Sequence, residues 1–257
     1  MLKYQTTRLF FIVLLVALVG YDVAFFVPYY VYLLLAVVYS LIIFYGSYFV
    51  HSNFFINVIC EAKTSKKEIA ISFDDGPAKN YTAEILSVLK ETQTEAAFFC
   101  IGNRVGGNET LLREIHNNGH IIGNHSYSHH FWFDFFSVQK MKEDLQKMNE
   151  SVEMATGLKP RLFRPPYGVT TPNLAKAIKD CGFLPIGWNI RSMDTVINDE
   201  QKLFEKVSKA IRPGAIVLFH DTSQTTLAIL PSFINYALKE GYKIVRLDKM
   251  LQIDAYA

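Results

Sequence analysis

The chain has 257 residues, with 26 basic and 24 acidic side chains, and its net charge of +2 gives no clustered basic excess for gripping nucleic acid. Its three cysteines, Cys60, Cys100 and Cys181, are too few and too scattered for a disulfide framework or a CxxC metal site, and they leave the redox compartment open. Charge is unevenly spread: Asp22 is the one full charge between residues 9 and 50, whereas removing Lys3, Arg8, Asp22 and Glu61 leaves 24 basic against 22 acidic residues from Lys63 onward.

That contrast divides the chain into a transmembrane anchor, residues 1–62, and a water-soluble domain, residues 63–257. A spanning helix needs about 20 apolar residues. The stretches "LFFIVLLVALVGYDVAFFV" (9–27) and "YYVYLLLAVVYSLIIFYGSYFV" (29–50) each approach that length, with Pro28 between them. The pattern predicts two helices, over about 7–21 and 30–50, with the turn drawn from "GYDVAFFVPYY". A single anchor with an interfacial first segment is the alternative. A cleavable signal peptide fits poorly, because the apolar stretch is too long and no small-residue cleavage site follows it. Lys3 and Arg8 favour a cytoplasmic N-terminus, but Lys63, Lys66 and Lys67 oppose them. Two spans with that N-terminus leave the domain on the cytoplasmic face and one span puts it on the envelope face, so the side stays open.

From Lys67 onward, short apolar runs alternate with segments of helical period. The runs are "IAISF" (69–73), "AAFFCI" (96–101), "HIIGN" (120–124), "RLF" (161–163), "FLPIGWNI" (183–190), "AIVLF" (215–219) and "YKIVRL" (242–247). Helices are expected over Thr82 to Thr92, Glu109 to Asn117, Val138 to Ala155, Asn173 to Asp180, Glu200 to Ile211 and Thr225 to Glu240. Gly119, Gly182 and Gly241 stand where three of them should close in a left-handed turn. Seven strands alternating with six helices imply parallel strands joined by crossovers. Roughly 190 residues are short for eight complete units, which usually take about 250. The expected α/β fold is therefore a distorted, incomplete barrel of about seven parallel strands. No GxGxxG or phosphate loop follows the first strand, which argues against a nucleotide.

Polar residues gather at the carboxyl ends of these runs, where parallel strands bring side chains together. Asp74 and Asp75 follow the first run, His125 the third, Arg164 the fourth and His220 the sixth, and Asp194 lies shortly past the fifth. "HSYSH" spaces His125 and His129 four apart, so one helical turn can aim both at one ion. "HNNGH" (116–120) has the same spacing, but its Asn-Asn-Gly should end a helix between the imidazoles. His116 is read as a surface residue, and His130 as structural or supporting the ligands. Two histidines and a carboxylate bind a divalent metal while leaving positions open. Successive side chains on an extended strand end point oppositely, so Asp75 can face the ion while Asp74 faces the adjacent water.

"ISFDDGP", "HSYSH", "RPPYG", "WNIRSMDT" and "VLFHD" follow the order and spacing of the polysaccharide deacetylase family, carbohydrate esterase family 4 with its NodB homology domain. The chain resembles that family over about residues 68–250. The resemblance implies a metal-dependent hydrolase that acts on carbon–nitrogen bonds and removes N-acetyl groups from peptidoglycan, a chitin-like polymer or a lipid-linked sugar. Asp74 resembles its general base; Asp75, His125 and His129 resemble its metal ligands, usually of Zn2+, with Co2+, Ni2+ and Mn2+ as alternatives. Arg164 is similar to the arginine that pairs with the base. The backbone amide of Tyr167 is similar to the oxyanion donor, in a loop fixed by Pro165, Pro166 and Gly168. His220 resembles the general acid oriented by Asp194, and Leu218 lines the pocket for the acetyl methyl, with Pro166 beside it. Trp188 either adds apolar contact there or belongs to the core. The chain departs from the family at Arg191, where an Asp is common, and at Thr195, where a Trp is common. The partners implied are an N-acetylated glycan and membrane lipid. An O-deacetylase, a deformylase and a catalytically silent glycan-binding domain are the competing readings.

Overall fold

The computed structural model describes residues 2–257. Two long apolar helices come first, α1 (Tyr4–Ala24) and α2 (Tyr29–Tyr48). They run antiparallel: Tyr32 Oη donates to Asp22 Oδ2 near the turn, the Phe11 and Tyr39 rings meet at 4.9 Å, and Tyr4 meets Phe54 at the far end. Asp22 also accepts the Val27 amide, so the lone charge of the segment closes the hairpin turn. Both helices are long and apolar enough to cross a membrane. The hairpin brings the end of α2 back beside the start of α1.

The remainder is an α/β half-barrel, as the alternation of runs and helices predicts. Its parallel strands are β1 (Glu68–Asp74), β2 (Ala97–Cys100), β3 (Ile121–Asn124), β4 (Leu162–Phe163), β5 (Leu184–Pro185), β6 (Ile190–Arg191), β7 (Ala215–His220) and β8 (Lys243–Ile244). They pair in the order β5-β4-β3-β2-β1-β7-β6, with β8 against the start of β1. The crossovers are α3 (Thr82–Glu91), α4 (Glu109–Asn117), α5 (Val138–Thr156), α6 (Pro172–Cys181), α7 (Glu200–Ala210) and α8 (Gln224–Lys239), followed by α9 (Leu247–Leu251). The expected last strand shortens to two residues, because the chain turns into α9 at Leu247.

Strand alternation sorts the core into two layers. Ile69, Ile71 and Phe73 of β1 pack outward with α3 and α8 residues such as Ile85 and Phe233, while Ala70 faces inward with Ala97, Phe99 and Ile216. Ser72 and Asp74 share the parity of Ala70, so the same two-residue period that buries the outer layer carries Asp74 to the inner rim.

The run 183–190 is the one place where a single expected strand becomes two. Its first part pairs with β4 and its second with β7, at opposite margins of the sheet, and it crosses the gap between them at residues 186–189. Segment 58–62 also bridges this gap: Ile59 pairs with Ile186 and Glu61 with Ala215. Val58 is buried, so residues assigned from composition to the anchor pack as part of the soluble body.

Candidate active site

Asp74 ends β1 and His220 ends β7, and the register makes them direct lateral partners. Adjacent strands lie about 4.8 Å apart, so the two side chains share one rim without any loop to place them. Asp74 is buried and accepts from Arg164 Nη1 at 2.7 Å. Arg164 is fully buried, and its remaining donors reach Ser72 Oγ and the carbonyls of Ile186 and Gly187. Those two carbonyls lie in the gap where the fifth run leaves one margin for the other. The irregularity of the barrel thus supplies the acceptors that aim the guanidinium. Burial works to lower the Arg164 pKa and Asp74 works to raise it; a guanidinium keeps its charge regardless.

Asp75 does not continue the strand. Its φ is 78°, a left-handed kink, so a change of backbone conformation and not extended alternation separates the two carboxylates. Arg104 Nη1 holds the kink by donating to the Asp75 carbonyl at 2.6 Å.

The "HSYSH" segment also differs from expectation. It is a loop and not a helical turn, with Ser126 at φ 64° and His129 at φ 43°. Side chains that the sequence did not single out tie it down. Asp144 Oδ1 accepts the amides of Tyr127 and Ser128, Asn124 Oδ1 accepts that of Ser126, and Ser126 Oγ accepts that of His129. The loop still brings both rings together, with centroids 4.9 Å apart.

Asp75, His125 and His129 offer ligand atoms that all lie within 4.8 Å of one another. Nε2 of His125 is 3.6 Å from Asp75 Oδ1, and Nε2 of His129 is 3.4 Å from it. Metal bonds of about 2.0–2.2 Å in a tetrahedron place ligand atoms about 3.4 Å apart. Asp75 Oδ1 is buried and accepts no hydrogen bond, which is costly for a carboxylate oxygen unless a cation shares it. His125 Nδ1 faces the Arg164 carbonyl at 2.8 Å and must donate to it, so Nε2 is the ring nitrogen turned toward Asp75. Burial, and then His125, push the His129 pKa down to about 4 against the pull of Asp75, which favours the neutral ring that a metal ligand requires. The donor set fits a divalent ion.

Across the rim, His220 Nδ1 and Asp194 Oδ1 are 2.7 Å apart, and Asp194 Oδ2 accepts the His220 amide. Ser192 and Thr226 hydroxyls donate to the same carboxylate. Burial acts to raise the Asp194 pKa, but these hydrogen bonds hold it below the usual carboxylate range. Burial opposes a charged His220, yet the Asp194 hydrogen bond and charge, with Asp74 and Asp75 beyond, lift its pKa to about 9. Asp221, the next residue, is buried beneath the Asp-Asp-Gly turn and accepts from Thr82; burial pushes its pKa up to about 7.

A cavity of about 210 Å³ joins these groups, with Leu218, Trp188, Arg191, Thr195 and Tyr167 in its wall. Trp188 is therefore a pocket residue as well as a packing one, and its ring presses against Gly168, which is at φ 73°. Tyr167 has φ 57°, and its hydroxyl donates to the His129 carbonyl at 3.3 Å. Pro166 is buried in the loop behind and is not among the residues lining the cavity. Arg191 and Thr195, the two departures, both line it. The other histidine pair does not converge on a site: His120 is buried and accepts the Ala96 amide, while His116 packs edge-on against Tyr256. His130 is structural, accepting the Trp132 amide.

Sequence reasoning passed over Asn124, Asp144, Ser192, Thr226 and Asp221. Asn124 and Asp221 carried the same signal as the residues it chose, polar side chains at strand carboxyl ends. Asp144 and Thr226 lie on helices, where nothing local marks them.

The family model described as polysaccharide deacetylase matches residues 61–186. Peptidoglycan-N-acetylmuramic acid deacetylase PdaA of Bacillus subtilis is 31% identical over 192 residues, covering 73% of this chain and 73% of the relative. The crystal structure of the peptidoglycan N-acetylglucosamine deacetylase Bc1960 matches with a TM-score of 0.74 at 26% identity, over 78% of this chain and 95% of that one. A carbohydrate esterase family 4 pseudoenzyme from Bacillus anthracis matches with a TM-score of 0.71 at 30% identity, over 75% of this chain and 68% of its own.

Proposed function

Since the chain belongs to the polysaccharide deacetylase family, carbohydrate esterase family 4, we propose that it is a metal-dependent hydrolase removing N-acetyl groups from an N-acetylated glycan at a membrane. One observation carries this reading: the Asp75, His125 and His129 cluster stands beside a buried, arginine-paired Asp74, with His220 as the lateral strand partner of that Asp.

Amide hydrolysis needs an activated nucleophile, a stabilised oxyanion and a protonated leaving group. A divalent ion held by Asp75, His125 and His129, with zinc the first choice, supplies Lewis acidity and a more acidic water. Asp74 is the general base. Arg164 holds its carboxylate in place, and each of the two buried side chains has the other as its partner. His220, protonated near neutral pH and oriented by Asp194, donates a proton to the departing amine. The Tyr167 amide assists the oxyanion, and Leu218 and Trp188 contact the acetyl methyl.

Every motif position required for turnover is occupied by a residue able to act, which favours an enzyme over a silent glycan-binding domain. The two relatives are named for different sugars of peptidoglycan, and Arg191 and Thr195, where this chain departs from the family pattern, line the cavity. The apolar hairpin is read as a membrane anchor, which places the substrate in the adjacent wall or on a lipid carrier.

The deciding experiment is acetate and formate release by the full chain in detergent. Its substrates are wall, chitin-like and lipid-linked glycans and their O-acetylated counterparts, with and without chelator. Acetate from an N-acetylated glycan, lost on chelation and restored by zinc, is expected. Binding of glycan with no product from any of them would overturn the reading.

A further inference from the structure

Seven large apolar or aromatic side chains beyond Lys63 are exposed among the described residues, and three of them fall within five consecutive positions. Phe131, Trp132 and Phe135 are 72%, 56% and 77% exposed. Their rings touch, with centroids 4.9 Å apart for the first pair and 5.6 Å for Trp132 and Phe135. The segment is held firmly: Phe133 and Phe136 are buried against Leu174 and Ile178 of α6, and Asn173 Nδ2 donates to the Phe136 carbonyl at 3.0 Å. A tethered loop that buries two rings and offers three others to solvent has the form of an interaction surface.

The start of α6 is also where the hairpin meets the domain. The Thr170 amide donates to the Ser47 carbonyl at 3.1 Å and its hydroxyl to the Gly46 carbonyl at 3.2 Å, so the last turn of α2 rests on this loop. Tyr167, three residues earlier, borders the catalytic cavity. Along α6, a second cavity of about 630 Å³ is lined by Lys3, Arg8, Lys176 and Lys179, and no carboxylate lines it. The loop of exposed aromatics packs on α6, the cations stand along the same helix, and the apolar hairpin meets the domain at its start.

The headgroup zone of a bilayer accepts aromatic rings, and anionic headgroups attract Lys and Arg. A protein partner would account for the rings, but not for cations lining the same helix beside the hairpin exit. We propose that Phe131, Trp132, Phe135, Lys176 and Lys179 form a face that docks on an anionic phospholipid bilayer, turning the cavity mouth at Tyr167 and His129 toward the membrane. The inference rests on reading the hairpin as an anchor. It narrows the substrate to a glycan presented at, or tethered to, the bilayer.

The chain has two tryptophans, Trp132 and Trp188, which makes the test direct. The full chain carrying Trp188→Phe is reconstituted in nanodiscs of phosphatidylglycerol or phosphatidylcholine with brominated acyl chains. Rings buried about 5–10 Å into the headgroup boundary should lose about half of the Trp132 emission to brominated phosphatidylglycerol. Quenching should be weaker with phosphatidylcholine and in the Lys176→Gln/Lys179→Gln variant. If Trp188→Phe does not fold, the difference between wild type and Trp132→Phe gives the same reading. Emission indifferent to bromine, in a chain that resists carbonate extraction, overturns the docking face and leaves the anchor standing. Extraction of the chain by carbonate overturns both. Equal quenching in the two lipids overturns the assignment to an anionic surface.

Discussion

Arg164 Nη1 lies 2.7 Å from Asp74 Oδ1, and both side chains are buried. Removing one partner of such a pair strands a buried charge and costs about 3–5 kcal/mol. Arg164→Met should therefore lower the melting temperature sharply, read by calorimetry. Asp74→Asn is the more informative change, because it removes the proposed base without touching Asp75, His125 or His129. It should retain bound metal by elemental analysis while acetate release falls about 10²–10⁴-fold. Undiminished turnover in that variant would remove Asp74 from the role of base.

His125→Ala and His129→Ala should each lose metal and activity together. Asp144→Ala tests the scaffold behind them, since Asp144 Oδ1 accepts two amides of the loop. Groups that orient ligands typically contribute about 10–100-fold in metal affinity. A drop of that size, measured by competition with a chromogenic chelator, is expected for Asp144→Ala, with both imidazoles still present. Wild-type affinity in this variant would show that the loop holds its shape without the carboxylate.

The His220 pair gives a pH signature. Its folded pKa, about 9, is above the ordinary histidine value of 6.5. The folded state therefore holds the proton more tightly than the unfolded chain does. The resulting stability is fully present below about pH 6.5 and is lost as pH rises through 9, a change on the order of 3 kcal/mol in the metal-free protein. Asp194→Asn should flatten this alkaline slope in thermal melts across pH 6 to 10. An unchanged slope would place the charge of His220 elsewhere.

The segment ahead of β1 is expected to matter to the soluble domain. Ile59 and Glu61 pair across the gap in the barrel, and Val58 is 5% exposed beneath Gly187. Burying one such side chain is worth about 1.5–3 kcal/mol. A chain beginning at Asn53 should melt several degrees above one beginning at Lys63. Coincident melting curves would mean that the segment merely rests on the surface.

The strand positions, the parallel topology and the rim residues are legible in the order of the amino acids. Each rests on a local period or on polar residues stopping an apolar run. Two routes to the site are not legible there. Asp75 diverges from Asp74 by a left-handed kink, and the "HSYSH" loop converges its imidazoles without a helical turn, held by Asn124 and Asp144 from β3 and α5. Residue spacing anticipates that these three donors converge, but by a different local path, because several backbone paths can close the same distance.

The sequence alone determined which polar residues stand on which strand ends, since side-chain parity and hydrophobic period are properties of neighbours along the chain. Tertiary structure decided how those residues are aimed. Arg164 is directed by the carbonyls of Ile186 and Gly187, His125 by the carbonyl of Arg164, and His220 by a carboxylate 26 residues away. Such contacts form between elements remote in sequence, and the carbonyls of Ile186 and Gly187 are turned inward because the barrel leaves a gap there.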